Sequence, residues 1–149
     1  RQFYGETDDS VNRKTRAAVA SGLAAIVCVG ESLAERESGE LFNVVGEQLR
    51  GGLSGLTTSD LERIIIAYEP VWAIGTGKTA TPDQAQEMHG FIRRKLAEAF
   101  GEAAADGIRI LYGGSVKPDN IAELMDRDDI DEIIDSHLVG GKVVERLKI

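Results

Sequence analysis

Four short apolar runs, at residues 24–29, 64–68, 108–112 and 133–139, alternate with longer segments of helical periodicity, and this alternation restricts the fold most. The first two are continuously apolar, the third is broken only by Arg109, and the fourth is less clean because of Asp135-Ser136-His137. Continuous rather than alternating runs are expected of strands buried on both faces of a parallel sheet. The intervening segments read as helices with recognisable starts. Val11, Thr15, Ala18 and Gly22 share a face before the first run. Ser32-Leu33-Ala34-Glu35 fits a capping box; Leu41, Val44, Val45 and Leu49 form the next stripe, and Gly51-Gly52 is expected to stop that helix. Thr81-Pro82-Asp83-Gln84 combines an N-cap, a proline at the first helical position and a glutamine that reaches back. Ala85, Met88, Ile92, Leu96 and Ala99 supply the expected buried face of that helix, and Lys117-Pro118-Asp119-Asn120 opens the next one similarly.

The order α-βα-βα-βα-β predicts an α/β domain of four parallel strands with alternating helices and right-handed crossovers. Residues 51–59 and 75–81 are best placed as loops, and no linker divides residues 1–149, so a single domain is expected. From pattern alone, a small doubly wound sheet and half of an eight-stranded barrel fit equally well. An open four-stranded sheet has two edges, which invite pairing with another chain.

Charge and cysteine usage narrow the partners. A formal charge of −8 and a pI of about 4.8 argue against nucleic acid or an anionic membrane as the main partner. They leave room for a small anion, which local amide groups can bind despite the net charge. The lone Cys28 excludes an internal disulfide. No apolar run approaches the roughly 18 residues of a membrane span. The opening Arg1-Gln2-Phe3-Tyr4 leads into no hydrophobic stretch, so no signal peptide and a cytoplasmic location are expected; the missing initiator Met suggests that something preceded Arg1.

The chemistry concentrates after the strands. Ala67-Tyr68-Glu69-Pro70-Val71-Trp72-Ala73-Ile74-Gly75-Thr76-Gly77-Lys78 places a carboxylate at the end of a buried strand, where parallel α/β folds hold their sites. Pro70 stiffens the exit, and Gly75 and Gly77 flank a threonine able to swing, which is the construction of a lid. Tyr112-Gly113-Gly114-Ser115-Val116 comes after the third run and forms a small anion nest ahead of a helix. Leu138-Val139-Gly140-Gly141 offers two further N–H groups after the fourth. Taken singly, Glu69 reads as a solvated strand-end carboxylate, each Gly-Gly as a turn, and Trp72 equally as packing or as a loop anchor.

Together these segments resemble the triosephosphate isomerase family. The run from Ala67 to Lys78 matches the family's signature without a break. Arg1 to Asp8 resembles the stretch just after the family's His-Ser-Glu-Arg turn, and Cys28-Val29-Gly30-Glu31 resembles the end of its fifth strand. Tyr112 to Val116 and Leu138 to Gly141 resemble its seventh and eighth phosphate loops. The resemblance implies half of a TIM (β/α)8 barrel, the last four units. It implies Glu69 as the catalytic base, and a lid made of Val71, Trp72, Ala73, Ile74, Thr76, Gly77 and Lys78 beside Gly75. The phosphate is gripped through Gly75, Ser115, Gly140 and Gly141. No cofactor and no metal are implied, and the substrate is a triose phosphate.

The same resemblance places an asparagine, a lysine and a histidine of the family's site before Arg1. His89, on the helix after the lid, and His137, before the last glycines, do not replace that histidine and read as surface or packing residues. Losing oxyanion-stabilising donors leads to an expectation of weak or absent isomerase activity in this chain alone. The alternative is a silent half-barrel that binds phosphorylated ligands or serves as an assembly module, and self-association through exposed sheet edges is expected. The end departs from the family. Asp135-Ser136-His137 precedes the last glycines and Lys142-Val143-Val144 succeeds them, residues 131–134 read as an insertion, Lys142 offers a compensating cation, and the final helix ends early at Ile149.

Overall fold

Thr7, Ser32 and Thr81 each start a helix by reciprocal exchange with the residue three positions on, satisfying amides that the helix leaves open. The computed structural model describes residues 5–74, 76, 78–116, 120–134 and 143–145. The helices are α1 (Asp8–Ala20), α2 (Leu33–Glu37), α3 (Leu41–Gly52), α4 (Pro82–Phe100), α5 (Glu102–Gly107) and α6 (Ile121–Met125). The strands are β1 (Ala25–Val29), β2 (Ile64–Tyr68), β3 (Arg109–Tyr112), β4 (Glu132–Ile134) and β5 (Val143–Glu145).

The sheet runs β1-β2-β3-β4-β5, so each strand lies beside its neighbour in the chain. β1 to β4 are parallel, with Val29 opposite Tyr68 and Tyr68 opposite Tyr112. A doubly wound sheet reverses its strand order at a switch point; a barrel advances one strand at a time. The observed progression is that of a barrel segment, which resolves the choice left open by the pattern.

One face of the sheet holds the core. Val27, Val29, Ile64, Ile66, Tyr68, Ile110, Tyr112 and Ile133 join Val45, Leu49, Met88, Ile92 and Leu96 from α3 and α4 in a single cluster. The other face is uneven. Ala67 and Leu111 are fully buried there, but Ile26 of β1 is 46% exposed and Cys28 is exposed. Burial on both faces, as the continuous apolar runs predict, therefore holds in the centre of the sheet and fails at β1, which among the described residues has a neighbour on one side only.

Further expectations are met in part. α3 ends at Gly52, where Gly51-Gly52 is expected to stop it. A Cβ on Gly51 would lie 2.7 Å from the Cβ of Asp8, so this glycine serves the close approach of α1 and α3. Ala99 is exposed, and the buried face of α4 instead includes His89 and Gly90. Glu132–Ile134 forms β4, which starts one residue ahead of the fourth apolar run. Val143–Glu145 pairs antiparallel with β4 in place of the expected final helix. The sequence pattern does not separate α5 from α4; Gly101, at φ +90°, breaks the two apart. Residues 117–119 and 135–142 lie outside the described residues, and with them the end of the fourth apolar run, His137 and Lys142.

Candidate active site

Glu69 sits where three strand ends meet. Its amide donates to the Val29 carbonyl at 2.8 Å, extending the β1–β2 ladder by one residue. Gly30 makes that closeness possible: a Cβ there would stand 1.9 Å from the Glu69 carbonyl oxygen, which no side chain allows. The Glu69 side chain then crosses toward β3 and lies over Gly113, where a Cβ would be 2.6 Å from its Cγ. Gly113 in turn donates its amide to the Tyr68 carbonyl at 2.8 Å. The carboxylate is half-buried at the carboxyl end of the sheet. A carboxylate so held can accept a proton from a substrate seated over the strand ends.

The lid leaves the sheet on a fixed stem. Pro70 leads into a 3-10 turn at Val71–Ala73, whose Val71 amide donates to the Glu31 carbonyl at 3.1 Å. Fully buried Glu31 is the hub of this stem. Its Oε1 accepts from Trp72 Nε1 at 2.8 Å, Arg36 Nη1 at 3.0 Å and Tyr68 Oη at 3.1 Å. Arg36 also lies over the Trp72 ring, 5.1 Å from its centroid. Charge-assisted bonds of this kind are strong in a buried setting, and they answer the question left over Trp72: it anchors the loop. Burial and the Glu31 charge push the Tyr68 hydroxyl pKa well up, which keeps it a neutral donor.

Beyond the stem the lid opens to solvent. Val71 is 51% exposed, Ile74 is 37% exposed, and Thr76 and Lys78 are exposed. Thr76 Oγ1 donates to the Trp72 carbonyl at 2.6 Å and accepts from the Lys78 amide at 3.3 Å, so the tip curls back on its own stem. Ala73 is buried, and its carbonyl accepts from Ser115 Oγ. Ser115 thus links the lid to the loop after β3. Buried Gly114 lies beneath Tyr112, where a Cβ would be 2.1 Å from the phenolic oxygen. Burial pushes that hydroxyl up to about 12. Gly75, Gly77, Gly140 and Gly141 lie outside the described residues.

Glu69, Ser115 and the lid stem are therefore brought together at one end of the sheet. Glu31 is a site residue that the sequence reading assigns no role, although it closes the segment Cys28-Val29-Gly30-Glu31. The usable signal is the indole of Trp72, whose buried N–H requires an acceptor. His89 is a packing residue, fully buried against the rings of Tyr68 and Tyr112 at 5.8 and 6.3 Å. Among the described residues, no group of three or more His, Cys, Asp or Glu side chains is placed to hold a metal ion, and no helix is long and apolar enough to cross a membrane.

A family profile for triosephosphate isomerase matches residues 1–148. The chain is 57% identical over 141 residues to the triosephosphate isomerase of Trichlorobacter lovleyi, covering 95% of this chain and 55% of that one. It is 59% identical to the same-named protein of Pelobacter propionicus and 60% to that of Moorella thermoacetica, with the same coverage of both chains. The chain spans about half the length of the relatives it matches.

Proposed function

The chain belongs to the triosephosphate isomerase family, and on that premise we propose that it carries the base-and-lid half of a site that interconverts dihydroxyacetone phosphate and glyceraldehyde 3-phosphate. Glu69 takes a proton from the carbon beside the carbonyl and returns it to the neighbouring carbon. The lid at residues 71–78 covers the substrate, excluding water that would solvate the carboxylate and let the intermediate shed its phosphate. Gly75, Ser115, Gly140 and Gly141 hold the phosphate through convergent amides, and no cofactor takes part. What supports this reading above all is the position of the Glu69 side chain, laid across Gly113 beside a lid stem fixed by Glu31.

The test is a coupled assay with glyceraldehyde 3-phosphate on the 149-residue chain, run beside Glu69→Gln. Turnover that disappears in the variant supports the reading. Turnover equal in both would refute Glu69 as the base. The expected rate is low, because removing one oxyanion-stabilising donor costs about 10²–10³ in turnover, and the family's lysine and histidine donors are not among these residues. A polypeptide carrying the complementary half-barrel, supplied in trans, should raise the rate.

A second reading has an observation of its own. Leu23 is 61% exposed and Ile26 46% exposed beside the unpaired edge of β1, which favours an assembly role, with a second copy covering that edge. Sedimentation of the isolated chain separates the readings: silent but dimeric supports assembly, and active regardless of concentration supports the isomerase alone.

A further inference from the structure

One face of α4 grips the turn that leads into β4. Gln86 exchanges two hydrogen bonds with Asp129, donating from Nε2 to Oδ2 at 2.6 Å and accepting the Asp129 amide at 3.1 Å. Arg93 Nη2 meets Asp131 Oδ2 at 2.8 Å, its Nε lies 3.6 Å from Asp129 Oδ1, and its Nη1 donates to the carbonyls of Ala105 and Ile108. Asp131 Oδ2 also accepts the Ile110 amide at 2.8 Å. Gly90 lets the turn come close, since a Cβ there would be 3.1 Å from Asp129 Oδ2. β4 itself is short, and its register with β3 rests on Leu111 opposite Glu132 and Tyr112 opposite Ile133. So short a ladder takes its position largely from the turn.

His89 is the centre of the grip. Its Nδ1 lies 3.1 Å from the Asp129 carbonyl oxygen, which can only accept, so Nδ1 carries the proton and Nε2 is a bare lone pair. Nε2 is buried without a hydrogen-bond partner. A second proton there would create a buried N–H and a buried charge with nothing to receive either. The groups facing the ring are Asp129 and Asp131 from the turn, Arg93 from α4, Tyr68 from β2 and Tyr112 from β3. The two carboxylates are already engaged by Arg93, and the tyrosines are neutral.

We propose that neutral His89 is the acid-sensitive pin of this latch: protonation at Nε2 releases the turn at residues 129–131 and β4 from α4 while β1, β2 and β3 stay paired. Burial pushes the imidazole down to about 4 from its ordinary 6.5, in agreement with this geometry. The folded form therefore binds fewer protons. The stabilisation is complete above about pH 6.5 and is lost as pH falls from there toward about 4.

The test is amide hydrogen exchange on the full chain between about pH 7.5 and about pH 5.5, corrected for intrinsic exchange. With one proton taken up on opening, the opening constant of amides 129–134 should rise about tenfold per pH unit below about 6.5. Amides of Val27, Ile66 and Gly113, the last bonded to the Tyr68 carbonyl of β2, should show no such rise. His89→Asn keeps an N–H donor for the Asp129 carbonyl but cannot titrate, and should flatten the profile. An equal rise in that variant, or β1 to β3 opening in step with β4, would overturn the proposal. Should the variant not fold, 15N signals of the histidines in the wild-type chain decide, with His137→Asn identifying His89. An Nδ1–H tautomer still neutral at about pH 5.5 is expected; a midpoint near 6.5, or the Nε2–H tautomer, overturns the latch.

Discussion

The two faces of the sheet are built from the same apolar runs and are closed to different extents. On the helix side, Val27, Val29, Ile66 and Tyr68 are at most 2% exposed, closed over by α3 and α4. On the other side, Ile26, the residue next to Val27 in the same strand, is 46% exposed. This half-fold is held together through its helix–sheet layer, while among the described residues its second face is closed at Ala67 and Leu111 and left open at β1. An apolar run tells that both faces are meant to be covered, not what covers them.

The sharpest way to break the comparison is to attack the closed face. Ile66→Ala, at a fully buried site in the centre of β2, should cost about 2–5 kcal/mol, read as a fall in the urea midpoint. Next comes the strand-end junction. Gly30→Ala forces the Glu69 backbone away from Val29 and should cost about 1–3 kcal/mol or more, with turnover falling further than stability because the base moves with it. Trp72→Phe keeps the ring but removes one of three donors to Glu31, and should cost about 1–2 kcal/mol with faster proteolysis of the lid. Smallest of all, Ile26→Lys on the open face should change the stability of the unassociated chain by less than about 0.5 kcal/mol. It should nonetheless weaken self-association in sedimentation, and a large loss of folding stability would mean that the open face is packed in the single chain after all.

Legibility in the sequence divides along the same line. Capping boxes at Ser32 and Thr81 act over three residues, and both helices start where those boxes predict. The strands of the closed layer are legible too, because hydrophobic burial leaves a continuous trace. Gly51 is legible in part: it marks where α3 stops, but its close approach to Asp8 of α1 leaves no trace in one dimension. β5 is hidden for a related reason: antiparallel return onto β4 is a tertiary choice that Val143–Glu145 does not announce. Of the site, Glu69 and the lid are recognisable from an unbroken run of residues. Glu31 escapes because its importance lies in three donors that converge on it from Arg36, Tyr68 and Trp72, separated along the chain.

The return of Val143–Glu145 along β4 has a consequence for how copies of this chain can meet. Edge-to-edge association behaves like valence. A sheet with two bare margins can accept a partner on each and add units indefinitely, as fibres do. Here the return moves one margin from β4 to β5, so among the described residues the sheet ends at β1, paired in parallel, and at β5, paired antiparallel. A copy added at one of these unlike margins leaves the other bare, so the strand order by itself does not halt growth at two copies.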